Sequence, residues 1–322
     1  MQYRKLGNSG LAVSTISLGS WLTFGNSVSE AEASNRIRHA LDTGINLLDT
    51  ADVYDMGEAE RLLGRMLADV PRKDYVLATK CYFPTGDGPN DRGLSRKHVF
   101  ESIDASLKRL GTDYVDLYQC HRYDPETPLV ETIEAMNDLV RRGKTLYWGV
   151  SAWTANQLRQ CVHACREHGY TAPISNQPPY NMLDRGIEHD VIPACVELGL
   201  GQIVYSPLAQ GVLTGKYRRG GSPPSDSRAA DPQRGHFVER YLSDAMLDAV
   251  TRLASVAADR GHSLAQLALA WCLRHKNVAS VIVGAKNSAQ LDENLAALEV
   301  DLDEELLREV EAILAETPSR TG

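Results

Sequence analysis

Eight short, almost unbroken apolar runs punctuate the chain, at residues 16–19, 47–50, 75–80, 114–121, 146–151, 174–177, 203–208 and 278–284. A strand with one wet face alternates apolar and polar side chains, whereas continuous hydrophobicity fits parallel strands covered on both faces. Between the runs the apolar spacing turns helical. Ser29 with Glu32, Thr154 with Gln157, and Ser263 with Gln266 have the capping-box spacing that starts a helix. Gly44, Gly111, Gly143, Gly169 and Gly199 stand where helices end on a left-handed residue. Strand then helix, repeated eight times, predicts an α/β fold of the (β/α)8 TIM-barrel class. Residues 3–6 and 11–13, joined by Gly7-Asn-Ser-Gly10, predict an N-terminal β-hairpin able to plug the barrel floor. Residues 302–315 predict an extra C-terminal helix.

Two segments are longer than a connection needs. Residues 81–94 carry Pro84, Gly86, Gly88, Pro89 and Gly93; residues 209–240 carry Gly211, Gly215, Gly220, Gly221, Pro223, Pro224 and Pro232. Both follow the C-terminal end of a strand, the face on which a barrel builds its site, and structureless loops this long are expected to be functional lids or disordered.

The length, 322 residues, suits one barrel, and no linker or low-complexity stretch divides it, so a single domain over 1–322 is expected. A formal charge of −8 gives no footprint for nucleic acid or an anionic membrane. The first residues have no apolar targeting segment and no stretch is long enough to span a bilayer, which points to a cytoplasmic protein. The six cysteines are dispersed without a CxxC, as in a reducing compartment. Cys161, His163 and Cys165 share about one helical turn but lack a second ligand pair nearby, so no metal is expected.

The chemistry lies at the run ends. Gly19, Asp49, Lys80, His121, Ser151, Gln177, Ser206 and Gly284 close the eight runs in order, and Tyr54 follows Asp49 by five residues. In a barrel these positions converge on one mouth. A buried charge without a partner costs several kcal/mol, so Asp49 and Lys80 are expected to pair. A tyrosine with its ordinary pKa of about 10 is a poor proton donor at neutrality, and an adjacent ammonium would lower that value. Lys80 would be this ammonium, Asp49 would hold it, and His121 would orient a substrate oxygen. Proton delivery to an oxygen gaining charge is half of a carbonyl reduction; a hydride donor supplies the rest. Taken singly, Asp49 could cap a strand, Tyr54 sit on the surface and Lys80 be solvated; the joint order at one mouth favours chemistry. A barrel lyase forming a Schiff base on Lys80 is the competing reading. Trp21, Phe24, Tyr82 and Trp153, together with Tyr54 and His121, are expected to wall the substrate pocket.

Asp49-Thr-Ala-Asp-Val-Tyr54, Ala78-Thr-Lys80, Tyr118-Gln-Cys-His121, Gly149-Val-Ser151, Asn176-Gln177, Ser206-Pro-Leu-Ala209 and Gly284-Ala-Lys-Asn287 together resemble the aldo-keto reductase superfamily over nearly the whole chain. Gly93-Leu-Ser-Arg-Lys-His98, Gly211-Val-Leu-Thr-Gly-Lys-Tyr217 and Ala268-Leu-Ala-Trp-Cys-Leu273 are most similar to the branch holding voltage-gated potassium channel β subunits and their bacterial relatives. The resemblance implies NADPH-dependent reduction of an aldehyde or ketone, with a tetrad of Asp49, Tyr54, Lys80 and His121 and Tyr54 as general acid. It implies NADPH or NADP⁺ with its nicotinamide held by Ser151 and Gln177 and stacked on Tyr205, and with Gly19, Ser20, Trp21 and Asp49 among the cofactor contacts. Ser206, Leu208, Gln210 and Lys216 would follow the pyrophosphate under Arg228. Gly284, Lys286, Gln290, Glu293 and Asn294 would surround the adenosine end. No GxGxxG or Walker A pattern occurs, in keeping with a dinucleotide bound on a barrel.

Three positions depart from the family pattern. Ala152 replaces an Asn common after the serine, Gln290 replaces an Arg that many members set against the 2′-phosphate, and His121 stands where the channel subunits carry Asn. The last favours turnover. A regulatory NADPH-binding protein of the channel-subunit type is the alternative function. The expected partner is a small carbonyl compound, with self-association left open.

Overall fold

The computed structural model describes residues 1–21, 30–225, 227–232 and 234–317. Strands β1 (Tyr3–Lys5) and β2 (Ala12–Ser14) pair antiparallel, with Tyr3 opposite Ser14. Eight strands then form a closed barrel: β3 (Ile16–Gly19), β4 (Leu47–Asp49), β5 (Val76–Cys81), β6 (Val115–Cys120), β7 (Thr145–Val150), β8 (Ser175–Asn176), β9 (Gly201–Val204) and β10 (Val278–Val283). Every neighbouring pair is parallel, and β10 returns to β3 to complete the circle.

Helices α1 (Glu30–Asp42), α2 (Glu58–Leu67), α3 (Arg96–Leu110), α4 (Leu129–Arg141), α5 (Ala155–His168) and α6 (Val191–Leu198) each follow one strand, β3 to β8 in turn. After β9 come α7 (His236–Glu239), α8 (Asp244–Asp259) and α9 (Leu264–Leu273); after β10 come α10 (Ser288–Leu295) and α11 (Glu304–Ala315). The last is the predicted extra helix. Thr154 with Gln157 and Ser263 with Gln266 form full capping boxes at α5 and α9. Ser29 lies outside the described residues, so the third box is not assessed.

Two cores hold the barrel. Inside it, Leu6 and Val13 of the hairpin pack with Leu47, Val76, Ala78, Leu117, Ile203 and Ala279. The hairpin is therefore a floor plug, tied on by Asn46, which accepts from Ser14 N at 2.7 Å and donates to Ala12 O at 3.0 Å. Gly7 has φ +59, and a Cβ there would meet Gly199 O at 2.4 Å; only glycine lets the plug sit this close. Outside, the strands' other faces pack against the helices in a larger cluster that includes Trp148, Trp153 and Trp271.

The apolar runs mark the strands closely, with one displacement. The ninth strand occupies 201–204 rather than 203–208. Gly201 and Gln202 pair with Ser175 and Asn176 despite their low hydrophobicity, while left-handed Ser206 (φ 55) turns the chain away. The segment 209–240 is also not a structureless loop: it contains 3₁₀ turns at Ala209–Thr214 and Arg228–Ala230, and then α7.

Candidate active site

The C-terminal strand ends bring the sequence-predicted polar residues around one mouth. Lys80, on β5, is fully buried, and its Nζ donates to Asp49 Oδ2 at 2.6 Å, to Thr50 O at 2.8 Å and to Tyr54 Oη at 3.4 Å. The expected Asp49–Lys80 pair is present. Asp49 Oδ1 in turn accepts from Gln177 Nε2 at 2.9 Å and lies 3.5 Å from Gln119 Nε2, so both carboxylate oxygens are engaged. A buried ion pair is tolerable where such extra hydrogen bonds complete it. Tyr54 leaves β4 on a tight turn in which Asp55 and Met56 are left-handed (φ 49 and 53). Its ring meets the His121 ring edge-on at 5.7 Å.

The electrostatics differ from the sequence expectation at Tyr54. Burial and then the Asp49 carboxylate push the phenol well above its ordinary pKa, and the Arg122 charge opposes them without prevailing. The prediction that Lys80 makes Tyr54 a stronger acid at rest is corrected, because burial of the phenol, with the Asp49 carboxylate beside it, pushes the other way. The phenol is thus held protonated. Burial lowers Lys80, while Asp49 holds it up. Burial, Lys80 and Arg122 together lower His121 well below the usual imidazole value, so its ring is neutral.

The remaining predicted residues fall into groups. Ser151 is buried and its Oγ donates to Gln177 O at 2.8 Å. Tyr205 joins the mouth through a bridge to Pro179. Ser206, Ala209 and Gln210 are all left-handed, with φ of 55, 46 and 60, and they fold the chain into a turn under Leu208. Gln210 Nε2 donates to Ser206 Oγ at 2.6 Å, and the Arg228 guanidinium donates to Gln210 Oε1 and lies 5.6 Å from the Trp21 ring centroid. Arg228 therefore reaches across this turn to the end of β3, where Gly19 and Ser20 sit. A Cβ on Gly211 (φ +96) would stand 3.1 Å from Lys216 Nζ, so glycine there leaves room for that side chain over the turn. Gly284 and Lys286 are exposed after β10; Asn287 caps α10 by accepting from Gln290 N at 2.9 Å, and Gln290 Oε1 accepts from Lys286 N at 2.7 Å. Asn294 is buried on α10 and Glu293 is exposed.

Of the predicted pocket walls, Trp21 and Tyr82 are half-buried, Trp153 is buried against Tyr123, and Phe24 lies outside the described residues. Sequence reasoning missed Gln119, Phe83 and Arg122. Phe83 meets His121 edge-on at 4.8 Å, and Arg122 Nη1 donates to His121 O at 2.5 Å. Gln119 was findable, since it stands two residues before His121 and so shares its strand face.

Ser20 Oγ, His121 Nδ1 and Asn294 Nδ2 are buried without a hydrogen-bond partner among the described residues. Orphaned polar atoms after β3, after β6 and on α10 fit a large polar ligand that would satisfy them. Among the described residues no group of three or more His, Cys, Asp or Glu could hold a metal, and no helix is long and apolar enough to cross a membrane.

A closed parallel barrel thus gathers at its mouth a buried lysine–carboxylate pair, a tyrosine and a neutral histidine. The chain belongs to the aldo/keto reductase family, whose model matches residues 15–315. It is 44% identical to a probable voltage-gated potassium channel subunit beta of Oryza sativa subsp. japonica, covering 100% of this chain and 99% of that one. It is 43% identical to the probable subunit beta of Arabidopsis thaliana, over 99% and 98% of the two chains. A putative subunit beta of Schizosaccharomyces pombe is 39% identical, over 98% and 94%.

Proposed function

We propose that this protein reduces an aldehyde or ketone to an alcohol with NADPH, with Tyr54 as proton donor. The observation that carries the reading is the chain Asp49–Lys80–Tyr54 at the mouth, with the neutral His121 ring against Tyr54. When bound, the nicotinamide supplies hydride to the carbonyl carbon. Negative charge then grows on the carbonyl oxygen, and the Tyr54 hydroxyl gives it a proton. A protonated phenol is the form this step requires, and an alkoxide is basic enough to take its proton. Lys80 Nζ, already 3.4 Å from Tyr54 Oη, stabilises the phenolate as it forms, and Asp49 keeps that ammonium in place. His121, neutral, positions the carbonyl oxygen without competing for the proton.

Ser151 and Gln177 would hold the carboxamide beside Tyr205; Ser206, Leu208, Gln210, Lys216 and Arg228 the pyrophosphate; Lys286, Gln290, Glu293 and Asn294 the adenosine end. Lys80 as a Schiff-base nucleophile fits less well, since all its donors are engaged and its side chain is closed off from solvent. The relatives' names favour a second reading, a channel-associated NADPH-binding subunit with little turnover. Steady-state NADPH oxidation with small aldehydes, ketones and sugar-derived carbonyls separates the two: turnover supports the reductase, and tight binding without turnover the regulatory subunit.

The NADP(H) preference rests on Lys286 and the α10 N-terminus beside it, where an ammonium and a helix end would both meet a 2′-phosphate. Lys286→Ala should weaken NADPH binding about tenfold, the scale of one charge-assisted hydrogen bond, and change NADH binding little. Equal losses for the two nucleotides in fluorescence titrations would remove this assignment.

A further inference from the structure

β9 ends at Val204, but Tyr205 still runs beside the loop after β8. Its N donates to Pro178 O at 3.0 Å and its O accepts from Tyr180 N at 3.2 Å. One residue later the chain turns away at left-handed Ser206, and a side chain takes the next place in the ladder. Asn181 Nδ2 donates to Ser206 O at 3.1 Å, and the same nitrogen donates to Tyr241 Oη at 3.4 Å, just past α7. Asn181 Oδ1 accepts from Leu183 N at 2.9 Å. A backbone N–H can only donate, so that bond fixes which end of the amide faces Ser206. Asn181 and Tyr241 are both fully buried.

Ser206, Ala209 and Gln210 are left-handed without being glycine, and such residues persist only where their surroundings over-determine them. Within the turn, Ala209 N donates to Ser206 O at 3.0 Å, Gly211 N to Leu208 O at 2.8 Å and Gln210 Nε2 to Ser206 Oγ at 2.6 Å. These bonds close the turn on itself, and they would survive if it tilted as a unit against the barrel. The Asn181 amide comes from a different loop, four residues past Gln177, so it fixes the turn relative to the end of β8. Through Tyr241 the same amide also reaches the end of the segment that carries Arg228. A buried amide whose donors meet a strained backbone carbonyl thus sets where the turn lies, beyond what the turn's own bonds can do.

We infer that Asn181 is a positioning residue, whose amide holds the Ser206–Gln210 turn where it takes the cofactor's pyrophosphate. The inference rests on the cofactor placement proposed above, but one arm of its test needs no cofactor. Asn181→Asp keeps the shape of the side chain and the acceptor for Leu183 N, while setting an oxygen against Ser206 O. NADP⁺ binding, read by fluorescence titration, should weaken about tenfold or more, the scale of a buried hydrogen bond replaced by an unmatched acceptor. Adenosine 2′-monophosphate has no pyrophosphate and would occupy the adenosine end alone, so it should bind the variant and the wild type alike. Asn181→Leu, uncharged and of similar size, should give the same pattern, and it carries the test if the buried carboxylate impairs folding. Without nucleotide, hydrogen–deuterium exchange should quicken across residues 206–215 in both variants and stay unchanged in β5 and β6. Unchanged NADP⁺ affinity would overturn the positioning role. Equal losses for NADP⁺ and adenosine 2′-monophosphate would overturn it too, because they would show a general disturbance of the site. A wild type that binds neither nucleotide would count against the cofactor placement alone. The exchange would then still decide Asn181, since unchanged rates at 206–215 would overturn its hold on the turn.

Discussion

Ala152 is exposed, stands directly after Ser151 and has φ 55, a left-handed conformation that an alanine side chain resists. Read as a sequence, the position is a departure that loses a contact from an asparagine; folded, it is also a site of backbone strain. Asparagine tolerates the left-handed region better than alanine. Ala152→Asn should therefore raise stability by roughly 0.5–1 kcal/mol, the scale of relieving one such residue, seen as a higher midpoint in urea unfolding. A lower midpoint would show that the strain account is wrong there. The same blindness explains why Ser206, Ala209 and Gln210 went unmarked as left-handed, since none is a residue type that announces such a turn. Charge states were equally hidden. The Asp49–Lys80 pairing was legible because two charges in apolar runs need each other, but the direction of the Tyr54 shift depends on burial and on the Asp49 carboxylate beside it.

At the scale of elements, the turn that carries Tyr54 is pinned from behind. Asp52 is buried, its backbone N donates to Lys80 O at 3.2 Å, and its carboxylate accepts from Ser102 on α3. Next to it, Glu60 on α2 accepts from Thr79 on β5 and from Arg109 on α3, each at 2.6 Å. Burial pushes Asp52 up to about 7; the Ser102 hydrogen bond opposes this, and the Glu60 charge adds to it. An unfolded aspartic acid titrates near 4, so between about pH 4 and 7 the folded protein keeps a proton that the unfolded chain has released. The contribution of Asp52 to stability is fully present below that window and falls as pH rises through it. Asp52→Asn removes the titration, so the variant should gain on the wild type by about 2–4 kcal/mol between pH 4.5 and pH 8 in urea unfolding. An unchanged difference at the two pH values would contradict a neutral buried Asp52. The elements that meet here were foreseen from apolar spacing and caps; their shared buried polar network was not, because Ser102, Thr79 and Glu60 look like ordinary helix and strand residues in the sequence.

For the whole molecule, the apolar runs placed the barrel strand ends closely, except where β9 ends at Val204 rather than 208, and closing the barrel puts those ends in one ring. That is why residues as far apart as Asp49 and Gln177 touch, at 2.9 Å, and why Asp49, Tyr54, Lys80 and His121 could be expected at one mouth before any contact was known. What remained hidden was what loop contacts decide: the left-handed turn at Ser206–Gln210 and the Phe83 ring against His121. The account as a whole depends on the Tyr54 proton. Wild type and Tyr54→Phe should be compared for NADPH affinity by fluorescence titration and for aldehyde-dependent NADPH oxidation. Loss of only the hydroxyl leaves the ring packed against His121, so affinity should stay within about twofold, while turnover should fall by about 10²-fold or more, the usual contribution of a general acid. Turnover near the wild-type value in a variant that binds NADPH normally would contradict the account.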